Sequence, residues 1–237
     1  MKPNYQPHID ILRAIAVFLV IFNHLEIKFF SGGFIGVDIF FVISGYLITQ
    51  NMLKEIELAG SFSFKNFYHR RIIRLAPSFF TVIISSSLFF FFMMTAEELN
   101  HYLKTVITSL TLTSNIYYTS LLNNYFSITA KSTPLLHIWS LNLEEQFYLF
   151  WPLFFIITHK ISYNFRLFSI LILTIISLII SYKMTQATPI AAYYLLPARI
   201  FEFGIGALLC FIPKHKLSEK TSKICSLIII ISLFILS

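Results

Sequence analysis

Long apolar runs, broken at intervals by short polar stretches, organise this chain. About 20 consecutive apolar residues suffice to cross a bilayer, and the pattern predicts spans near 11–30, 34–53, 75–94, 137–158, 166–182 and 190–212. A seventh run begins near 224 and stops at Ser237. Its roughly 14 residues make about 21 Å of helix against a hydrocarbon core of about 30 Å, so the sequence reads as truncated inside that span. The stretch 96–135 is more polar, with Asn100, Asn115, Asn123 and Asn124, and predicts a long extramembrane loop carrying short helices. The expected fold is all-α, a polytopic transmembrane bundle of six full spans plus an incomplete seventh. Residues 1–237 are expected to form one membrane domain, with no separate soluble domain.

Composition supports that class. Hydrophobic residues make up 57% of the chain and charged residues 12%, half the roughly 25% of a soluble domain. Mean hydropathy is +0.75. The net charge of +7 is then a topology signal and not a nucleic-acid footprint. With the N-terminus inside, 13 of the 18 Lys and Arg fall on the cytoplasmic side, from Lys2 and Arg13, through Lys54, Lys65 and Arg70 to Arg74, to Lys160, Arg166 and the Lys214–Lys223 cluster. That asymmetry predicts an N-in orientation. Cys210 and Cys225 offer neither a disulfide framework nor metal-ligand spacing. The first span is long, holds internal charges and lacks a small-residue cleavage site, so it is not expected to be a signal peptide.

Ionisable residues inside the spans are costly and mark function by default. Arg13 and His24 stand eleven residues apart, about three helical turns, so they share a face about 17 Å apart along the axis. The predicted topology sets Arg13 near the cytoplasmic entry and His24 deep in the first span. It sets Asp38, Glu144, Glu145, Arg199 and Glu202 at a similar outer depth, with Arg70, Arg71 and Arg74 below them at the cytoplasmic mouth. Blander readings stand beside these. Asp38 suits the N-terminal turn of span 2, Arg199 and Glu202 have the spacing to pair with each other, and Glu145 suits the interface more than Glu144. Arg71 and Arg74 share a face at i, i+3, and planar guanidinium groups grip phosphate bidentately. Glycines in the first turn and in spans 2 and 6 permit close helix approach, and Gly204-x-Gly206 lacks the strand–turn–helix setting of a nucleotide fold. Pro152 is expected to kink span 4.

Five stretches, in order, carry a family resemblance: ILRAIAVFLVIFNH (11–24), GGFIGVDIFFVISGYLIT (32–49), FYHRRIIRLAP (67–77), LLHIWSLNLEEQFYLFWPL (135–153) and LPARIFEFGIGALL (196–209). Together they resemble the membrane acyltransferase-3 family, O-acetyltransferases that modify bacterial surface carbohydrate. The resemblance implies an O-acyltransferase of the bacterial cytoplasmic (inner) membrane. It would move an acyl group, commonly acetyl from acetyl-CoA, to a hydroxyl of lipopolysaccharide O-antigen or another envelope glycan, with the acceptor in some cases lipid-linked. It implies no permanently bound cofactor, no metal and no nucleic-acid partner. Matched residue by residue, it implies Arg13, Arg71 and Arg74 as the acyl-CoA grip. His24, Glu144 and Asp38 would be the catalytic group, and Arg199 and Glu202 would bind acceptor. His24 acts either as general base on the sugar hydroxyl or as a covalent acyl relay. The family's membrane domain has more spans than this chain holds, and the Gly-Asp-Ser block of its esterase-like appendage is absent from the sequence. A lipid-linked sugar flippase and a non-catalytic remnant are the alternatives that the same charges allow.

Overall fold

The computed structural model describes residues 6–122 and 133–212, which form helices joined by turns, with no strand among the described residues. The seventh predicted span, Cys225, the Lys214–Lys223 cluster, Lys2, Lys131, Asn123 and Asn124 lie outside the described residues. The chain gathers into two compact units, one made of Met1–Asn51 and Glu202–Ser237, the other of Met52–Phe201.

In the first unit, α1 (Pro7–His24) starts on Pro7, whose missing N–H costs nothing at a helix start. It ends at His24. Leu25 and then Glu26 terminate it, and Glu26 takes the left-handed conformation at φ 55°. The predicted span 11–30 therefore begins and ends earlier, and Lys28–Phe30 forms a separate 3₁₀ turn. His24 closes its helix and is exposed; it is not deep inside a span. The turn returns the chain into α2 (Ile35–Ala59), which leans tightly on α1. A Cβ at Gly33 would stand 2.9 Å from the Asn23 Cβ and, at Gly36, 2.8 Å from a Val20 methyl.

The predicted span 190–212 is not one helix. It divides into α8 (Pro189–Tyr194), a 3₁₀ turn over Leu196–Ala198, and α9 (Ile200–Leu209). Leu195 is extended ahead of the turn, and Pro197 cannot continue an α-helical hydrogen-bond ladder. Ser177 ties the break down. Its hydroxyl donates to the Pro197 carbonyl at 2.7 Å and accepts from the Phe201 N–H at 2.9 Å, satisfying backbone groups that the interruption frees.

The second unit holds α3 (Phe64–Phe90), α4 (Ala96–Leu110), α5 (Ser114–Leu122), α6 (Ile138–Ile161) and α7 (Tyr163–Ala187). Among the described residues four helices, α1, α2, α3 and α7, are long and apolar enough to cross a membrane. The helix α6 matches their length at 24 residues but mixes Asn142, Glu144, Glu145 and Gln146 into its first half. Both α3 and α6 run on as helix through an internal proline, Pro77 and Pro152. They lie antiparallel: the Tyr68 hydroxyl reaches the Tyr148 and Leu149 carbonyls at 3.4 Å, while Phe79 packs near Ile138. Trp151, Phe147, Phe155 and Ile170 are fully buried between α6 and its neighbours, with Phe147 stacked on Trp151 at 4.9 Å.

The polar stretch after α3 does form the expected short helices. A capping box opens α4: Thr95 accepts from the Glu98 N–H, and the Glu98 carboxylate accepts from the Thr95 N–H at 2.9 Å and its hydroxyl at 2.8 Å. Those donors, the backbone N–H foremost, hold the Glu98 carboxyl below its ordinary value. A depressed folded pKa means that the stabilisation is present above the ordinary carboxylate range and fades as pH falls through the folded value. Amide exchange in the first turn of α4, corrected for intrinsic rates, is therefore expected to speed up between about pH 6 and about pH 3. Glu98→Gln should remove that pH dependence.

Candidate active site

Buried hydrogen bonds fix the rotation of α6 against the α4–α5 corner. The Asn142 amide donates to the Ser114 hydroxyl at 2.8 Å and to the Thr108 carbonyl at 3.4 Å. The Gln146 amide donates to the Leu112 carbonyl at 2.6 Å and to Asn115 Oδ1 at 2.8 Å, and Asn115 in turn donates to the Tyr194 carbonyl at 3.0 Å. Leu112 sits at φ 59°, a left-handed conformation that costs a β-carbon-bearing residue about 1–2 kcal/mol. The Gln146 amide and a 2.7 Å bond from Thr113 N–H to the Thr108 carbonyl hold the turn there.

With α6 so set, Asn142 and Glu145, three apart, look the same way. They share a cavity of about 270 Å³ with Arg71 of α3. Its other walls are apolar: Leu75, Ala76 and Phe79 of α3, Leu110 and Leu112 of the corner, and Leu141 of α6. The Arg71 guanidinium lies over the Tyr148 ring at 4.3 Å and the Phe67 ring at 5.8 Å. Face-on stacking of this kind occupies the π surface and leaves the N–H edge for another partner. The Tyr148 hydroxyl donates to the Glu144 carboxylate at 3.3 Å, so Arg71 and Glu144 are joined through one aromatic ring.

This geometry corrects the expected depths. Arg71 was expected at a cytoplasmic mouth well below Glu144, yet it stands level with Glu145 and Tyr148. The antiparallel register of α3 and α6 brings the first turns of α3 beside the middle of α6. Glu145, expected at the interface, turns its Oε1 into a place closed to solvent. Asn142, fully buried, was not singled out from sequence, although its i, i+3 spacing to Glu145 was available as a signal.

The remaining predicted residues are placed as follows. Arg74 is exposed on α3, and Arg70 pairs with Glu55 at 2.8 Å. Arg199 donates through Nε to the Tyr193 carbonyl at 3.0 Å and stacks on the Tyr193 ring at 4.7 Å. In the first unit, Arg13 pairs with Asp10 one turn earlier, at 3.7 Å. Half-exposed pairs of this kind contribute about 0–1 kcal/mol. Asp38 lies partly buried in the first turn of α2, where the helix dipole favours an anion. Glu202 is buried in the first turn of α9. The His24 ring places Nδ1 2.7 Å from the Val20 carbonyl. A carbonyl only accepts, so Nδ1 carries a ring proton, and in the neutral ring Nε2 is the atom with the lone pair.

Comparison with known proteins completes the picture. The family profile described as an acyltransferase domain matches residues 7–237. A peptidoglycan O-acetyltransferase of Listeria monocytogenes is 37% identical over 221 residues, covering 91% of this chain and 35% of the relative. A Bacillus subtilis protein provisionally named a peptidoglycan O-acetyltransferase is 36% identical over 91% of this chain and 35% of its own length. A Staphylococcus aureus protein provisionally named an O-acetyltransferase is 34% identical over 96% of this chain and 38% of its own length. The chain thus spans little more than a third of the relatives it matches. No solved structure matches it. By a match that runs from the first described helix to the last residue, the chain belongs to the acyltransferase-3 family.

Proposed function

We propose that this chain is the membrane part of an O-acetyltransferase that moves acetyl from acetyl-CoA to a hydroxyl of an envelope glycan. The family match over residues 7–237 carries this reading. The Listeria relative, a peptidoglycan O-acetyltransferase, favours peptidoglycan as acceptor over lipopolysaccharide O-antigen. The bacterial cytoplasmic membrane is the setting that joins a cytoplasmic donor to an external glycan. His24 supplies the proton-transfer chemistry. With its proton committed to the Val20 carbonyl, Nε2 is free either to take the proton of the acceptor hydroxyl or to receive the acyl group and pass it on. Arg71, Asp38, Glu144, Arg13, Arg74, Arg199 and Glu202 are the charged groups from which donor and acceptor contacts are drawn.

The test is made in cells. The polypeptide that contains this chain is expressed in a bacterium lacking its own wall O-acetyltransferase, and acetate released from purified peptidoglycan by mild alkali is measured. Released acetate well above a vector control supports the reading. Membrane-inserted protein with no released acetate from peptidoglycan or any other envelope glycan overturns it.

A further inference from the structure

Arg199 stands inside the break between α8 and α9, and the hydrogen bonds around it follow one pattern. In an uninterrupted helix the Tyr193 carbonyl would accept from the N–H of residue 197, the Tyr194 carbonyl from that of Ala198, and the Pro197 carbonyl from that of Phe201. The break makes none of these three bonds. Pro197 has no N–H to give, and the Ala198 N–H turns to the Leu195 carbonyl at 3.2 Å. Side chains fill all three places. Arg199 Nε donates to the Tyr193 carbonyl and the Asn115 amide to the Tyr194 carbonyl, each at 3.0 Å. The Ser177 hydroxyl stands between the Pro197 carbonyl and the Phe201 N–H.

The place of Ser177 is the informative one. A helical hydroxyl commonly bonds back to a carbonyl of its own helix, as Thr174 of α7 does to Ile170 at 2.7 Å. Ser177 spends both its donor and its acceptor on another segment. It is buried just past the middle of α7, a helix long and apolar enough to cross a membrane. At such a depth no water serves a broken backbone. Yet the two groups that Ser177 serves do not need it, because each is the other's ordinary helical partner. Without the hydroxyl they could bond directly and close the turn. The hydroxyl is therefore a wedge in one rung of the ladder, a recognised cause of helix distortion. The wedged turn spans 198–200 and carries Arg199 at φ −116° and ψ −12°, off the values of a regular helix.

We infer that Ser177, together with Pro197, holds this turn open as a positioning device for Arg199, setting the angle from which its guanidinium serves the transfer. The inference rests on the proposed O-acetyl transfer and on Arg199 taking part in it.

The test uses the polypeptide that contains this chain, with two readouts on membrane-inserted protein. One is wall acetate released from peptidoglycan. The other is the rate at which phenylglyoxal modifies Arg199, followed by peptide mass spectrometry, with the exposed Arg74 as internal control. Ser177→Ala lets the Phe201 N–H bond straight to the Pro197 carbonyl, so this protein should melt with the unaltered one. Its wall acetate should nevertheless fall about tenfold or more, because small misplacements of a site residue are costly. Closing the turn draws Arg199 away from the Tyr193 carbonyl, so its modification should speed up about tenfold, the factor for one lost hydrogen bond, while Arg74 is unchanged. Pro197→Ala reaches the same turn without touching α7. Pro197 is exposed, so little packing is lost, and the new N–H competes with Arg199 Nε for the Tyr193 carbonyl. Both readouts should move as for Ser177→Ala, and the Pro197 variant decides alone if Ser177→Ala does not reach the membrane. Lowered acetate with an unchanged Arg199 rate would overturn the inference, since the residues would then act by another route. Full acetate with a faster Arg199 rate would overturn it too, because the setting of Arg199 would not matter to transfer. Both of those results leave the transfer reading intact. No acetate from the unaltered polypeptide would overturn the transfer reading, and the inference with it.

Discussion

Envelope acetylation by the polypeptide containing this chain is expected to fall at least about a hundredfold when His24 is replaced by alanine, the loss typical of a general acid–base group. The expectation is sharp because the substitution removes little else. His24 closes α1 and is exposed, so no core packing is lost. The carbonyl it contacts, that of Val20, stands four residues back, opposite the His24 backbone N–H in the helical ladder, so it keeps a backbone partner when the ring is removed. His24→Ala protein should therefore reach the membrane at the level of the unaltered protein and melt within a few degrees of it. His24→Gln keeps a side-chain amide able to donate to Val20 but has no ring nitrogen to take a proton or an acyl group, and it should be as inactive as the alanine variant. Withholding acceptor separates the two chemical roles. A covalent relay accumulates an acetyl group on the His24 peptide, whereas a general base leaves that peptide unmodified. Wall acetate unchanged by either substitution, in protein shown to be membrane-inserted, would remove His24 from the chemistry.

Hydrophobic runs made the helices legible but not their relative heights. The runs at 11–30, 34–53 and 75–94 foretold the helices α1, α2 and α3, though not their ends, because lipid-compatible stretches have few alternatives to helix. The end of α1 was less legible, because it terminates at Glu26 in a left-handed conformation that sequence usually marks with glycine. The break at Leu195–Arg199 was hidden by composition. Its residues are as apolar as a span, and the bond that stabilises the interruption comes from Ser177, 20 residues earlier. Periodicity shows which side chains share a face of one helix, as for Asn142 and Glu145. It does not say which turn of α3 stands beside which turn of α6. That register is set by contacts such as Tyr68 to the Leu149 carbonyl and Arg71 over Tyr148, and it is why Arg71 looked distant from Glu144 and Glu145. Glu144 and Glu145 are neighbours about 100° apart on the helix. Only the Gln146 and Asn142 hydrogen bonds decide which of them turns toward Arg71.

The largest loss of folded protein is expected from alanine at Gly45 or Gly206. A Cβ at Gly45 would land on the Phe203 backbone, 2.8 Å from its Cα and closer still to its carbonyl oxygen. A Cβ at Gly206 would land on the facing helix, 2.8 Å from the Tyr46 nitrogen and closer still to the Val42 carbonyl oxygen. Both clashes are with backbone, so no side-chain rotation relieves them and α2 and α9 must separate. The separation would also pull apart the Phe41–Phe203 stack at 4.7 Å and the contact from the Cys210 thiol to the Tyr46 carbonyl at 3.3 Å. Small residues at such crossings let backbones meet in lipid, where dispersion and interhelical contacts replace the hydrophobic effect as the driving force. Overpacking costs about 1–3 kcal/mol per site, and at roughly 2–4 °C per kcal/mol for a chain of this size each variant should melt about 2–12 °C lower. The double variant should lose less than the sum, because either substitution alone already parts the two helices. Gly60→Ala is the comparison: nothing lies within 4 Å of its Cβ position, and only its φ of +70° opposes the change, so it should cost about 1 kcal/mol. Thermal unfolding in detergent, followed by thiol exposure at Cys210, measures all four. Gly45→Ala and Gly206→Ala proteins that melt with Gly60→Ala would show that α2 and α9 do not meet through these glycines.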